Sequence, residues 1–274
     1  MQKVNFDPQN PENCFFESRT SEKIPLCQRC FFRFSGLPLF SLFLKGFNAI
    51  EMGIGENIRR VSETLPPQVK LVAVSKTKPV DDILQAYQAG QRAFGENKVQ
   101  ELTAKQPLLP ADVEWHFIGH LQRNKVKYIA PFVSLIHSVD SLKLLEVIDR
   151  EAAKNQRTIR CLLQFHIAAE TTKFGMSPEE ARDLLRSGEF NALNHVQISG
   201  VMGMATFTDD REVVRREFRQ LKNIFDLLKE EFFSEDTHFR EISMGMSDDY
   251  LVAVEEGSTL VRIGSTIFGE RQYL

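Results

Sequence analysis

The chain of 274 residues has only four cysteines, one tryptophan and a net charge of -3. Each shortage removes a class of protein. Four cysteines are too few for a disulfide-built scaffold. Cys14, Cys27 and Cys30 lie in the first thirty residues, leaving Cys161 alone in the remainder, as expected in a reducing compartment. Cys27 and Cys30 form a C-x-x-C, but no second ligand pair follows at zinc spacing, so free thiols are expected. No apolar run approaches the roughly 20 residues that span a bilayer, which argues against a membrane protein. The small acidic charge gives no electrostatic footprint for nucleic acid. Arg123, Lys125 and Lys127 read as a solvated face. Hydrophobic content of 42% and charged content of 26% are ordinary for a folded domain.

Residues 1–51 lack helical or strand period and are rich in phenylalanine, as in Phe31-Phe32-Arg33-Phe34. Pro38 and the acidic residues exclude a signal peptide. Met52 directly precedes the periodic sequence and is a plausible start of translation. Residues 1–51 are therefore expected to be a disordered or non-native extension, with a partner-binding arm as the alternative, and residues 52–274 to be one domain.

From there, short apolar runs alternate with amphipathic stretches. Strands are expected at 71–75, 92–95, 115–118, 135–138, 161–165, 197–201, 241–243 and 260–263. Ile54, Ile58, Val61 and Leu65 predict a helix stopped by Pro66-Pro67. Val214, Phe218, Leu221, Phe225, Leu228 and Phe232 predict a long one. Ser177-Pro178-Glu179-Glu180 carries a capping box. Eight strands alternating with helices predict an α/β fold, a single (β/α)8 barrel of TIM type, with an open doubly wound sheet as the alternative.

Chemistry collects at three strand ends. Leu71 to Val74 run without alternation into Ser75-Lys76, and Pro79 is expected to open the next helix. Lys76 either simply reaches solvent or, beside an apolar interior, is a desolvated and nucleophilic amine. After the seventh strand, Gly245 and Ser247 can cradle an anion, with Ser247 expected to cap the following helix. Asp248 and Asp249 count against a phosphate there. After the eighth strand, Gly264 and Ser265 repeat the pattern, with Arg262 on the strand itself. In a closed barrel the first and eighth strands are neighbours, and the loops after strands seven and eight are a frequent phosphate site. An amine, an arginine and a phosphate cradle at one mouth suit an aldehyde carrying a phosphate, which describes pyridoxal 5′-phosphate (PLP). The histidines predict no metal site: His116 and His120 fall roughly 13 Å apart along a strand. His137 and His166 read as rim residues, His195 and His238 as loop residues, and Trp115 as core.

The segments AVSKTKP (73–79), FGENKVQE (94–101), WHFIGHLQRNK (115–125), KFGM (173–176), GMSDD (245–249) and VRIGSTIFG (261–269) resemble the YggS/PROSC family of pyridoxal phosphate homeostasis proteins. The resemblance covers residues 53–274. It implies an alanine racemase N-terminal-like barrel, a Schiff base on Lys76, a phosphate held by Ser247, Gly264 and Ser265, Arg262 at the pyridine nitrogen, and Asn97 near the ring hydroxyl. It implies buffering or delivery of PLP in the cytoplasm by a monomer, with PLP-dependent apo-enzymes as recipients. No catalytic residue is expected, because an arginine at the ring nitrogen makes a weak electron sink and the sequence ends just past the eighth strand, without the C-terminal β domain that completes a racemase. The alternative is a racemase-like enzyme.

Overall fold

The computed structural model describes Val4–Asn5, Phe15–Glu17, Lys23–Pro25 and residues 53–168 and 174–270. The chain divides into two units, residues 1–51 and 52–274. In the first, the three short segments pair as an antiparallel sheet with Phe15–Glu17 in the middle. The expectation of disorder there otherwise falls outside the described residues, as do Cys14, Cys27 and Cys30.

The second unit is a closed barrel of eight parallel strands: β1 (Lys70–Val74), β2 (Ala93–Glu96), β3 (Glu114–Phe117), β4 (Leu135–Val139), β5 (Ile159–Gln164), β6 (Val196–Met202), β7 (Glu241–Ser243) and β8 (Leu260–Ile263). Neighbours around the barrel are neighbours in sequence, and β8 closes on β1 with Arg262 opposite Val72 and Ile263 opposite Ala73. The eight strands fall within a residue or two of their predicted positions. All-parallel pairing requires a crossover after each strand, and amphipathic helices supply most of these.

The first helix, α1 (Ile54–Glu63), precedes β1 and buries Ile58 and Val61. Helix α2 (Val80–Gln88) follows β1, α3 (Val99–Lys105) follows β2, and α4 (Val126–Ile129) follows β3. Pro79 stands at the N-cap of α2 rather than at its first helical position, with ψ 163°. The chain leaves the turn after β1 extended and begins to coil one residue late. Helix α5 (Leu142–Lys154) crosses from β4 to β5, and α6 (Pro178–Arg186) and α7 (Gly188–Asn191) precede β6. The predicted capping box is present: Ser177 Oγ accepts the Glu180 N–H at 3.2 Å, and the Glu180 carboxylate accepts the Ser177 N–H at 2.8 Å. Helix α8 (Arg211–Phe232) is capped by Asp210 and buries Val214, Phe218, Leu221, Ile224 and Leu228. Helices α9 (Tyr250–Glu255) and α10 (Ser265–Phe268) complete the ring.

Outward-facing strand residues meet the helices in one large apolar layer that includes Phe94, Trp115 and Ile136. Inside the barrel, Val72, Ala93, Leu135, Leu162, Met202 and Leu260 form a separate apolar cluster. Large apolar side chains contribute about 1.5–3 kcal/mol each on full burial, so these two layers dominate the stability. The remaining interior is polar. His116, His137, Gln164, Ser243 and Arg262 are all buried, where a barrel of this type normally carries branched aliphatic residues.

Candidate functional site

Lys76 leaves the end of β1 in a four-residue turn. The Ser75 carbonyl accepts the Lys78 N–H at 3.1 Å, and Thr77, the third residue of the turn, has φ +64°. A positive φ at that position alone defines a type II turn, where glycine is the favoured residue. A β-branched threonine there is strained. Helix α3 holds the turn from below. Glu101 accepts the Thr77 N–H at 2.7 Å. One helical turn on, the Lys105 ammonium donates to the Ser75 carbonyl at 2.9 Å and to Glu96 Oε1 at 2.8 Å, and Ser75 Oγ donates to the same carboxylate oxygen at 2.7 Å. Glu96 is wholly buried, and burial pushes its carboxyl up against the pull of Lys105. Its Oε2 has no hydrogen-bond partner among the described residues. Lys76 itself is half-buried.

Asn97 follows directly at the end of β2. A Cβ on Gly119 would lie 2.3 Å from the Asn97 carbonyl oxygen, so only glycine lets the ends of β2 and β3 approach so closely. Across β1, a Cβ on Gly264 would lie 3.1 Å from the Val74 carbonyl oxygen, which sets this glycine against the strand that carries Lys76. The Gly264 N–H donates to Ser247 Oγ at 3.3 Å, joining the loops after β7 and β8. Gly245 has φ +94°, and a Cβ there would come within 2.7 Å of Ala253. Ser265 is exposed and opens α10, whose first N–H groups face outward from the helix start.

Two expectations are corrected here. Ser247 does not cap the following helix: α9 begins at Tyr250 with Asp249 at its N-cap and no side-chain cap bond. The Ser247 hydroxyl is turned toward Gly264 instead. Asp249 folds back on its own loop, its Oδ1 accepting the Met246 N–H at 2.5 Å. Burial pushes its carboxyl up, against the pull of that N–H and of Arg262. The second correction concerns His137, expected at the rim. It lies in the barrel interior with no exposed surface, its Nε2 2.9 Å from His116 Nδ1 and its Nδ1 2.9 Å from Ser243 Oγ.

Arg262 is 4% exposed. Its Nη1 donates to Ser243 Oγ at 2.5 Å and its Nη2 to the Gly203 carbonyl at 3.1 Å. Burial pushes the guanidinium down to about 10, which still leaves it cationic at neutral pH. Lys76, Asn97, Ser247, Arg262, Gly264 and Ser265 thus all stand at the C-terminal ends of strands or just beyond them, on the face where barrels of this type build their sites. From the sequence, Glu96, Lys105 and Ser243 have no role, and His116 and His137 are weighed only as, respectively, a metal pair with His120 and a rim residue, although a polar residue in the middle of a barrel strand is itself a signal, since the outer face is covered by helices. Among the described residues no group of acidic, histidine and cysteine side chains could hold a metal ion. A cleft of about 540 Å³, lined by residues that include His120, Arg123 and Asp140, lies beside the loops after β3 and β4, and none of the six predicted residues lines it. His120 stacks on Phe174 there, ring centroids 4.4 Å apart. Lys173 lies outside the described residues.

The family described as "Alanine racemase, N-terminal domain" matches residues 53–272. A pyridoxal phosphate homeostasis protein of Pasteurella multocida is 40% identical over 228 residues, 80% of this chain and 95% of that one. The chain belongs to the pyridoxal phosphate homeostasis protein family. A relative of the same name from Aquifex aeolicus is 42% identical, covering 74% of this chain and 88% of its own. Among solved structures, PipY of Synechococcus elongatus with PLP bound superposes with a TM-score of 0.71 at 38% identity, covering 79% of this chain and all (100%) of its own. Alanine racemase of Bartonella henselae superposes with a TM-score of 0.60 at 15% identity, over 81% of this chain and 61% of its own, a likeness of fold alone. The expected barrel and the expected family are both borne out.

Proposed function

We propose that this protein binds PLP, carries it as a Schiff base on Lys76, and takes part in PLP homeostasis by buffering the cofactor or delivering it to PLP-dependent apo-enzymes. The observation that carries the reading is the corner where Gly264 backs onto the end of β1 and bonds to Ser247. It places two anion-friendly loops beside the turn that presents Lys76. When bound, the cofactor supplies an aldehyde for a lysine amine and a ring that withdraws electrons.

The residues present fit such a group. Glycine at 245 and 264 leaves the backbone bare where a Cβ would crowd Ala253 or Val74. Ser247, Gly264 and Ser265 offer hydroxyl and N–H donors to a phosphate. Asn97 stands at the neighbouring strand end, suited to the ring hydroxyl side. Arg262 has only donors, no acceptor, so a ring nitrogen opposite it stays unprotonated and the ring a weak electron sink. That chemistry favours a carrier over a catalyst. We place the carrier in the cytoplasm as a monomer. Among the described residues no helix is long and apolar enough to cross a membrane.

Titrating the full chain with PLP tests the proposal. Saturable binding with a visible absorption band, abolished by borohydride and absent from Lys76→Ala, is the expected result. Cα exchange of L-alanine in deuterated water should not exceed that of free PLP. Exchange at an ordinary enzyme turnover of about 1 s⁻¹ or more would make the protein an enzyme instead.

A further inference from the structure

Four buried side chains form a continuous hydrogen-bonded row through the barrel: Arg262 on β8, Ser243 on β7, His137 on β4 and His116 on β3. Strands β4 and β7 are not neighbours, so the row crosses the interior. Glu114 Oε2 lies 3.9 Å from His116 Nε2, and Lys70 pairs with Glu114. Both of these end residues begin their strands, at the rim opposite the Lys76 turn. We infer that His116 and His137 are positioning residues for Arg262: two neutral Nε2–H imidazoles that, through Ser243, hold a one-way hydrogen-bond chain from the guanidinium toward Glu114.

The ends of the row dictate its direction. A guanidinium only donates and a carboxylate only accepts. Ser243 Oγ accepts from Arg262 Nη1, so its single proton is free for the other neighbour, His137 Nδ1. That nitrogen is then an acceptor, which puts the His137 proton on Nε2, aimed at His116 Nδ1. His116 in turn carries its proton on Nε2, toward Glu114. The opposite order sets an imidazole lone pair against a carboxylate and leaves Ser243 with two donors and no acceptor. A charged imidazolium at His137 has the same fault, since its Nδ1–H would point at Ser243. The charged groups around the pair are Lys70, Arg160 and Arg262 on one side of the account and Glu114 on the other, with Glu241 taken up by Arg160 at 3.0 Å. Burial pushes both imidazoles down, helped by the nearby cations and opposed at His116 by Glu114, in the same sense as the neutral rings that the hydrogen-bond geometry requires. The product of the chain is an oriented acceptor at Ser243, which with the Gly203 carbonyl pins two of the five guanidinium N–H groups and so fixes the direction of the rest. That the cofactor ring meets those groups rests on the function proposed above.

The test uses the full chain labelled with ¹⁵N and free of PLP. Long-range ¹H–¹⁵N correlation should show both His116 and His137 as Nε2–H tautomers, unchanged between about pH 6 and 8, the range in which an ordinary histidine titrates. An Nδ1–H tautomer or an imidazolium at either residue would overturn the inference. Ser243→Ala should release His137 into mixed tautomers and raise the PLP dissociation constant about tenfold, the loss expected when a buried hydrogen bond to a charged group goes. Leu228→Ala, which opens space in the outer apolar layer under α8 and away from the row, should leave both tautomers in place and affinity within about twofold. Equal effects from the two variants would reduce the row to ordinary packing and contradict the inference. Failure of the wild-type protein to bind PLP would sink the proposed function alone, because the tautomers are read without the cofactor.

Discussion

Replacing Lys105 by methionine tests the support beneath the Lys76 turn. The Lys105 ammonium lies 2.8 Å from Glu96, and the two side chains are 10% and 0% exposed. At that separation the attraction is about 6 kcal/mol for an effective dielectric constant of about 20. It offsets a desolvation penalty of several kcal/mol per ion, so the intact pair contributes little net stability. Lys105→Met removes the attraction and keeps the penalty on Glu96, whose Oε2 already has no partner. The expected cost is about 3–5 kcal/mol. For a barrel of this size that lowers Tm by roughly 6–20 °C, measured by calorimetry and by urea denaturation. The pH dependence has a definite sign. Glu96 titrates above its ordinary value of 4.5 because burial outweighs the lysine, and without the lysine it titrates higher still. A carboxyl raised in the folded state contributes its stability below the unfolded value and loses it as pH rises through the folded one. The deficit of Lys105→Met should therefore be smallest near pH 4.5 and grow toward pH 8. Glu96→Leu combined with Lys105→Met removes both charges and should recover most of the loss. A single variant within about 1 kcal/mol of wild type, or a double variant as unstable as the single, would refute the reasoning.

Thr77→Gly relieves a strained positive φ worth about 1–3 kcal/mol, against a glycine entropy cost of about 0.5–1 kcal/mol. It should raise Tm by about 2–4 °C while weakening PLP binding in a fluorescence titration, and a fall in Tm would show that the turn is not strained. Gly245→Ala should cost more than about 2 kcal/mol and weaken PLP binding, because strain and a clash with Ala253 act together. Gly90→Ala has a similar φ of +99° with nothing within 4 Å, so it should cost about 1 kcal/mol and leave affinity unchanged in the same assays. Cys161 is wholly buried and burial pushes its thiol up, so a thiol reagent should label it only as the protein unfolds in urea.

Much of this architecture can be read without coordinates. Unbroken apolar runs such as Leu71 to Val74 mark strands covered on both faces, and the Ser177–Glu180 box marks a helix start. What escapes is what depends on closure. His137 reads as a rim residue when its strand is taken to end at Ser138; counted by twos from Leu135, an interior residue, it falls inside the barrel. Its partner Ser243 lies across the barrel from it, and no local pattern announces that meeting. Ser247 has the chemistry of a helix cap, but its hydroxyl instead accepts the N–H of Gly264, which the pairing of β8 with β7 brings alongside. Glu96 sits within the segment 94–101 and Lys105 lies just beyond it, yet their burial under Ser75 depends on α3 folding back over the end of β1. The six predicted site residues are legible because each lies at a strand end, where the fold class alone fixes the face.

The central claim is that Lys76 is the residue that carries PLP. Borohydride reduction of the PLP-loaded full chain, followed by proteolysis and mass-spectrometric peptide mapping, tests it most directly. The neighbouring Lys78 is already engaged, donating to the Phe268 carbonyl at 2.7 Å, and gives the closest comparison in sequence. The account predicts a phosphopyridoxyl group on Lys76 and none in Lys76→Ala; a label on Lys78 or Lys125 in the wild-type chain would contradict it.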